Sequence, residues 1–245
     1  MKTALVTGAN KSIGFETVKQ LLKKGYYVYL GSRDREKGQL AVAQLNAEGL
    51  TQVEAVVINV SEVASIEKAR QSIGGKSSSL DLLINNAGIS GGFPQPPSSF
   101  GSAAIREVFD TNFFGVIDVT RAFLDLLGKS SSPVIVNVTS GLASLTLHSD
   151  PSWMYYEVKG AAYGPSKTAL NAYTVALAHE LRATPFRVNA VDPGYTATDF
   201  NHHRGPGTVE GAAAFVVKYA SIGADGPSGR FFSFDYQKNG NESPW

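Results

Sequence analysis

The sequence contains no cysteine, which excludes disulfides and thiolate metal sites at the outset. Histidine is scarce. His148, His179, His202 and His203 are the four, and none stands at a metal-ligand spacing such as HExxH, so no metal centre is expected. Neither sign of charge prevails, since 22 Lys and Arg face 21 Asp and Glu. A net charge of +1 gives no reason to expect nucleic acid or an anionic membrane as partner. No apolar run reaches the ~20 residues of a membrane span. The N-terminal MKTALVTG meets a glycine too early to form a signal-peptide core. The expectation is a cytoplasmic protein, in which the Asn-x-Ser/Thr matches at 59–61, 137–139 and 241–243 carry no meaning.

What the chain does have is alternation. Short apolar runs at 3–7, 26–32, 53–60, 80–88, 133–140, 186–194 and 229–235 read as strands. Between them, 13–25, 34–49, 101–129 and about 161–183 read as helices, as does a stretch opened by Ser61 as cap; Asp34 caps the second. The strands are near-continuous apolar runs, as strands covered on both faces must be. The expected fold class is α/β: a Rossmann-like doubly wound sheet of about seven mainly parallel strands with helices on both faces. No linker divides the chain, so 1–245 reads as a single domain, and the Gly/Pro/Ser-rich stretch 90–102 reads as a loop at the sheet edge.

The first strand runs into TGANKSIG, residues 7–14, and then into a helix. Glycine lets the backbone turn sharply and lets phosphate oxygens approach. The helix N-terminus offers unpaired N–H groups and a positive dipole end to a pyrophosphate. This loop resembles the TGxxxGxG loop of the short-chain dehydrogenase/reductases, with Ser12 in place of a family glycine. NNAG (residues 85–88), the set Ser140, Tyr163 and Lys167, and Pro193-Gly194 match the family's other motifs in order along essentially the whole chain. Features such as TGANK and the stretch after the second strand resemble the carbonyl reductase branch. The resemblance implies cofactor contacts from Gly8, Asn10, Lys11, Ser12, Ile13 and Gly14, from Asn59 and Val60, from Asn86, Ala87 and Gly88, from Tyr163 and Lys167, and from Pro193, Gly194, Thr196 and Thr198. It also implies Asn112 as a fourth catalytic member beside Ser140, Tyr163 and Lys167.

The second strand bears on which cofactor binds. A carboxylate at its end would hold the ribose hydroxyls of NAD, and a basic residue accommodates a 2′-phosphate. This strand ends in Ser32 followed by Arg33, with Lys11 a second cation in the glycine loop, so NADPH/NADP+ is expected over NADH. Tyr163 and Lys167 are four apart and share one helix face. A nearby ammonium would lower the tyrosine's pKa from about 10 and fit it to give a proton to a carbonyl oxygen. Ser140 would hydrogen-bond that same oxygen. Tyr155 with Lys159 is a second Tyr-x-x-x-Lys and a competitor, although 149–160 read as loop rather than helix.

The 23 positions from Ser140 to Tyr163 hold a longer insert, about 141–162, than many family members have. Phe93, Leu142, Trp153, Met154, Tyr195 and Phe200 are the expected pocket walls, and about 196–215 the expected lid. The expected function is NADPH-dependent reduction of a small, apolar carbonyl (ketone, aldehyde or quinone) to an alcohol by hydride transfer, with a tyrosine general acid. The alternative is a non-catalytic NADPH-binding regulator of the same fold. Monomer or homodimer is the expected state, with a homotetramer the other family arrangement.

Overall fold

Side chains of β1 (Thr3–Val6) alternate between two cores: Ala4 and Val6 face one, Leu5 the other. That alternation is the sheet's period of two with both faces covered. The computed structural model describes residues 1–245. Six further strands complete the sheet: β2 (Tyr27–Ser32), β3 (Val53–Val57), β4 (Leu82–Asn85), β5 (Val134–Val138), β6 (Arg187–Asp192) and β7 (Phe231–Ser233). Their order is β3-β2-β1-β4-β5-β6-β7, and every neighbouring pair is parallel. The chain reverses its direction of travel across the sheet between β1 and β4. A crevice opens at such a switch point, outside the strands' carboxyl ends.

The helices are α1 (Ser12–Lys23), α2 (Arg35–Ala47), α3 (Val63–Gly74), α4 (Ser102–Phe109), α5 (Gly115–Leu127), α6 (Leu145–His148), α7 (Tyr163–Glu180) and α8 (Val209–Ala220). One core packs α1, α2 and α8 on the sheet through Val18, Leu21, Leu45, Phe215 and Val216. The other packs α3, α5 and α7 through Ile66, Ile73, Phe123, Leu126 and Leu177. No helix is long and apolar enough to cross a membrane.

Three expectations need correction. The helical stretch 101–129 is two α-helices joined by a π-helical turn, Asp110–Phe114. Ser61 does not cap α3: the cap position is Glu62, no side chain caps it, and the Ser61 hydroxyl lies 3.1 Å from that of Thr111. The expected lid 196–215 is loop only to Thr208, whose hydroxyl accepts from the Gly211 amide and starts α8; Ala212, Ala213 and Phe215 are core residues. The insert also carries the short helix α6, opened by the Ser144 hydroxyl accepting from the Leu147 amide. Asp34 does cap α2, accepting from the Lys37 amide at 3.1 Å.

Candidate active site

The loop between β1 and α1 turns at Gly8, where φ is +62° and a Cβ would stand 2.8 Å from the Ala87 Cα. The chain after β4 is thereby drawn against the chain after β1. Asn86 locks the two together, donating to the carbonyls of Thr7 (2.9 Å) and Gly8 (3.1 Å), while the Thr7 hydroxyl accepts from the Asn86 and Ala87 amides. Ser12, where the family loop carries glycine, has φ of +52°. The position does require left-handed backbone, and serine occupies it at a cost. No side chain caps the first turn of α1, so its N–H groups stay open to an anion. Asn10 and Ile13 flank that turn, with Ile13 packed on the core. These are the features a dinucleotide pyrophosphate needs, and the residues fit it.

At the end of β2, Ser32 is buried and its hydroxyl donates to the Asp34 carbonyl at 2.8 Å. The Asp34 carboxylate spends Oδ1 as the α2 cap, and its Oδ2 lies 3.8 Å from the Lys37 ammonium. Arg33 is exposed. Lys11 is not free for a phosphate: it bridges to Asp199 at 2.9 Å, and Asp199 also meets His203. Asn59 is committed to its own turn, accepting from the Ser61 amide and donating to Glu62 at 2.7 Å, while Val60 is buried.

Ser140, Tyr163 and Lys167 converge at the carboxyl ends of β5 and β6. The Ser140 hydroxyl accepts from the Leu142 amide at 3.2 Å, and it faces the Tyr163 phenol closely enough to favour the phenolate. Lys167 is buried, donates to the Val138 carbonyl at 2.8 Å, and lies 6.0 Å from the centre of the Tyr163 ring. Gly88 is the point of closest approach from the β4 side: a Cβ there would lie 3.2 Å from Asn112 Oδ1 and 3.6 Å from Lys167 Nζ.

Asn112 points inward because it sits in the π-helical turn, where the extra residue rotates the helix face. It is fully buried, accepts from the Ile89 amide at 2.9 Å, and donates to the Ile89 carbonyl at 2.9 Å and the Ser166 hydroxyl at 3.1 Å.

Sequence reasoning did not single out Asp192, the last residue of β6. Its carboxylate is buried, accepting from the Gly194 amide at 3.0 Å and the Ser233 hydroxyl at 2.6 Å. Burial pushes its pKa up to about 6, against the pull of those hydrogen bonds. Burial also lowers Lys167 to about 8, and Asp192 opposes that fall. The Tyr163 phenol is held well above its ordinary value, by burial first and by Asp192 second, with Ser140 pulling the other way. The expected lowering by Lys167 is not found: Ser140 is the group that pulls the phenol down, and burial outweighs it.

The competitor Tyr155 is accounted for differently. Its hydroxyl donates to Asp235 at 3.0 Å, and Lys159 turns away to His148, meeting its Nδ1 and its carbonyl at 2.9 Å each. No helix joins the two.

Of the expected pocket walls, Phe200 lies against Tyr163 with ring centres 5.3 Å apart. Trp153, Tyr155 and Tyr195 form a chain of edge-to-face rings, and a Cβ on Gly141 would lie 3.6 Å from the Trp153 ring. Leu142 is half-buried beside them, Phe93 packs near Gly160, and Met154 stands 70% exposed. Thr196 and Thr198 are buried in the loop after β6, which Asn201 ties together by donating to the Thr196 carbonyl. Pro193 is buried, and Gly194 turns the chain at φ of +79°.

A doubly wound sheet with an open helix N-terminus at its switch point, and a serine, tyrosine and lysine beside it, defines a dinucleotide-dependent oxidoreductase. Residues 2–208 match the family model described as short chain dehydrogenase. The chain is 32% identical to a (+)-neomenthol dehydrogenase of Capsicum annuum, with 94% of each covered. Among solved structures it resembles salutaridine reductase from Papaver somniferum (TM-score 0.82, 32% identity, 96% of this chain and 100% of that one). It also resembles an NADPH-bound carbonyl reductase from chicken fatty liver (TM-score 0.84, 26% identity, 100% and 99%). The chain belongs to the short-chain dehydrogenase family, whose oxidoreductases use nicotinamide cofactors.

Proposed function

We propose that the chain is an NADPH-dependent reductase of apolar ketones, aldehydes or quinones, with Tyr163 as general acid. The observation that carries this reading is a convergence: Tyr163 at the start of α7 and Ser140 after the end of β5 stand together, with Lys167 Nζ 6.0 Å from the centre of the Tyr163 ring. A bound nicotinamide would supply the hydride. The residues of the chain do the rest. Ser140 and Tyr163 hold the carbonyl oxygen, and the phenol gives it a proton as charge develops there. The resulting phenolate is stabilised by the Ser140 hydroxyl and the Lys167 ammonium. Asn112 braces the segment after β4 against α7 through Ser166 and so fixes the distance from Gly88 to Lys167. Leu142, Trp153, Tyr195 and Phe200 would supply apolar wall for the substrate. The carbonyl reductase, neomenthol dehydrogenase and salutaridine reductase likenesses support a carbonyl or its alcohol as substrate.

NADPH is preferred because β2 ends in Ser32 followed by the exposed cation Arg33, while Asp34 lies one residue further on, at the start of α2, and caps it. The test is oxidation of NADPH, and separately NADH, at the nicotinamide absorbance against a panel of ketones, aldehydes and quinones. Turnover with NADPH is expected. Binding of NADPH with no turnover on any member would overturn the reading. Tyr163→Phe should lower kcat by about 10³-fold while NADPH still binds, and retained activity would move the acid elsewhere.

A further inference from the structure

Helix α7 carries the catalytic tyrosine as its first residue, yet has no cap of its own. Its cap position is Ala162, which has no side-chain acceptor, and its third residue is Pro165, which has no N–H. The amides of Ala162 and Tyr163 need acceptors from elsewhere. Both find the same one. Gln95 Oε1 accepts from the Ala162 amide and from the Tyr163 amide, each at 3.1 Å. The other half of the carboxamide faces the opposite way: Nε2 donates to the Ser90 carbonyl at 2.6 Å and to the Gly92 carbonyl at 2.7 Å. The Gln95 backbone carbonyl accepts from the Ala161 amide at 3.0 Å. The residue is 1% exposed.

All four hydrogen-bonding positions of one buried carboxamide are thus spent between two segments. One is the start of α7. The other is the loop after β4, which follows directly from Asn86–Gly88 and Ile89. We propose that Gln95 is a positioning residue for the reductase: it supplies the missing cap of α7 and sets Tyr163 at a fixed place relative to the β4 loop. This rests on Tyr163 being the proton donor. The energetic case is an asymmetry. A made hydrogen bond adds modestly to stability, but a buried amide left without its acceptor costs its full desolvation. Losing the Gln95 carboxamide would strand two amides at the base of the catalytic side chain, and the helix start would move to reach water. A displacement of an ångström at a reacting group costs about 10²-fold in rate.

Gly160 offers an independent way to disturb the bracket without touching Gln95, since a Cβ there would stand 2.7 Å from Gln95 Oε1. The experiment compares Gln95→Met, Gln95→Glu and Gly160→Ala with the wild type. The readouts are kcat and KM for a carbonyl of the panel, Kd for NADPH, and exchange of the Ala162 and Tyr163 amides by NMR. Gln95→Met keeps the length and loses donor and acceptor; kcat should fall about 10²-fold, with NADPH Kd within about twofold, and both amides should exchange faster. Gln95→Glu keeps an acceptor for the two amides but sets an oxygen against the Ser90 and Gly92 carbonyls, so the amides should stay better protected than in Gln95→Met while the rate recovers only in part. Gly160→Ala should reproduce the Met phenotype in part, and carries the test alone if the Met variant does not fold. Unchanged kcat and unchanged exchange in Gln95→Met or Gly160→Ala would overturn the proposal. So would Ala162 and Tyr163 amides that exchange as fast in Gln95→Glu as in Gln95→Met, or a loss shared equally by NADPH binding. Exchange is read without turnover, so a wild type inactive on every carbonyl would refute the reductase reading and leave the bracket itself still decided by the amides.

Discussion

Ser12 shows how one residue can be right about the family and still differ from it. The loop needs left-handed backbone there, and serine holds φ of +52° where glycine would hold it without Cβ strain. Ser12→Gly should raise stability by about 1 kcal/mol, seen as a later urea midpoint at constant slope; an unchanged midpoint would show that the loop bears no strain. Arg33 is judged at the same scale. Arg33→Ala should weaken NADPH by about tenfold or more, the worth of a charge-assisted contact, and leave NADH nearly untouched. Equal loss in cofactor titrations would take Arg33 off the phosphate. Tyr163, Lys167 and Ser140 were singled out because they resemble the family's motifs in order along the chain; spacing alone also offered Tyr155 with Lys159. Gln95 and Asp192 were not. A glutamine in a Gly/Pro-rich loop and an aspartate at a strand end look like solvated side chains until the fold buries them.

At the scale of elements, the strands were read with ends within a few residues, because parallel strands buried on both sides are plain apolar runs. Helix α8 was missed. VEGAAAFVVKYA is apolar on most faces, so it lacks the amphipathic period that marks a surface helix. Its ends did carry a signal, with Thr208 as cap, Glu210 in the first turn and Lys218 in the last. The π-helical turn at Asn112 left no local signature; Asn112 there bonds Ile89 and Ser166, far along the chain. The loop after β6 meets the glycine loop through Lys11 and Asp199, both largely exposed. Such a pair contributes at most about 1 kcal/mol, so its effect lies in where it holds Lys11. Asp199→Asn should free that ammonium for the cofactor phosphates and tighten NADPH by about threefold at low salt, with the gain shrinking as ionic strength rises. Titrations at two salt concentrations with no difference between variant and wild type would remove Lys11 from the phosphate site.

For the whole molecule, the two groups beside Tyr163 make stability depend on pH in opposite windows. Asp192 has its pKa raised to about 6 by burial, above the unfolded value of 3.8. Between those values the folded chain binds more protons than the unfolded one, so stability falls as pH rises through that window. Lys167 has its pKa lowered to about 8 from 10.5. There the unfolded chain binds more protons, and stability recovers only as pH rises above 8. Near neutrality the fold carries both costs, each about 3 kcal/mol from shifts of this size. Other titrating groups overlie this curve, so the measurement is a difference. The stability of Asp192→Asn relative to wild type should climb by about 3 kcal/mol between about pH 3 and pH 7, with about 2 kcal/mol of it between pH 4 and pH 6, and then level off, followed by denaturant unfolding at each pH. A difference that stays flat across that window would mean that the Asp192 carboxylate is not desolvated, and that the charge beside Tyr163 and Lys167 is screened by water.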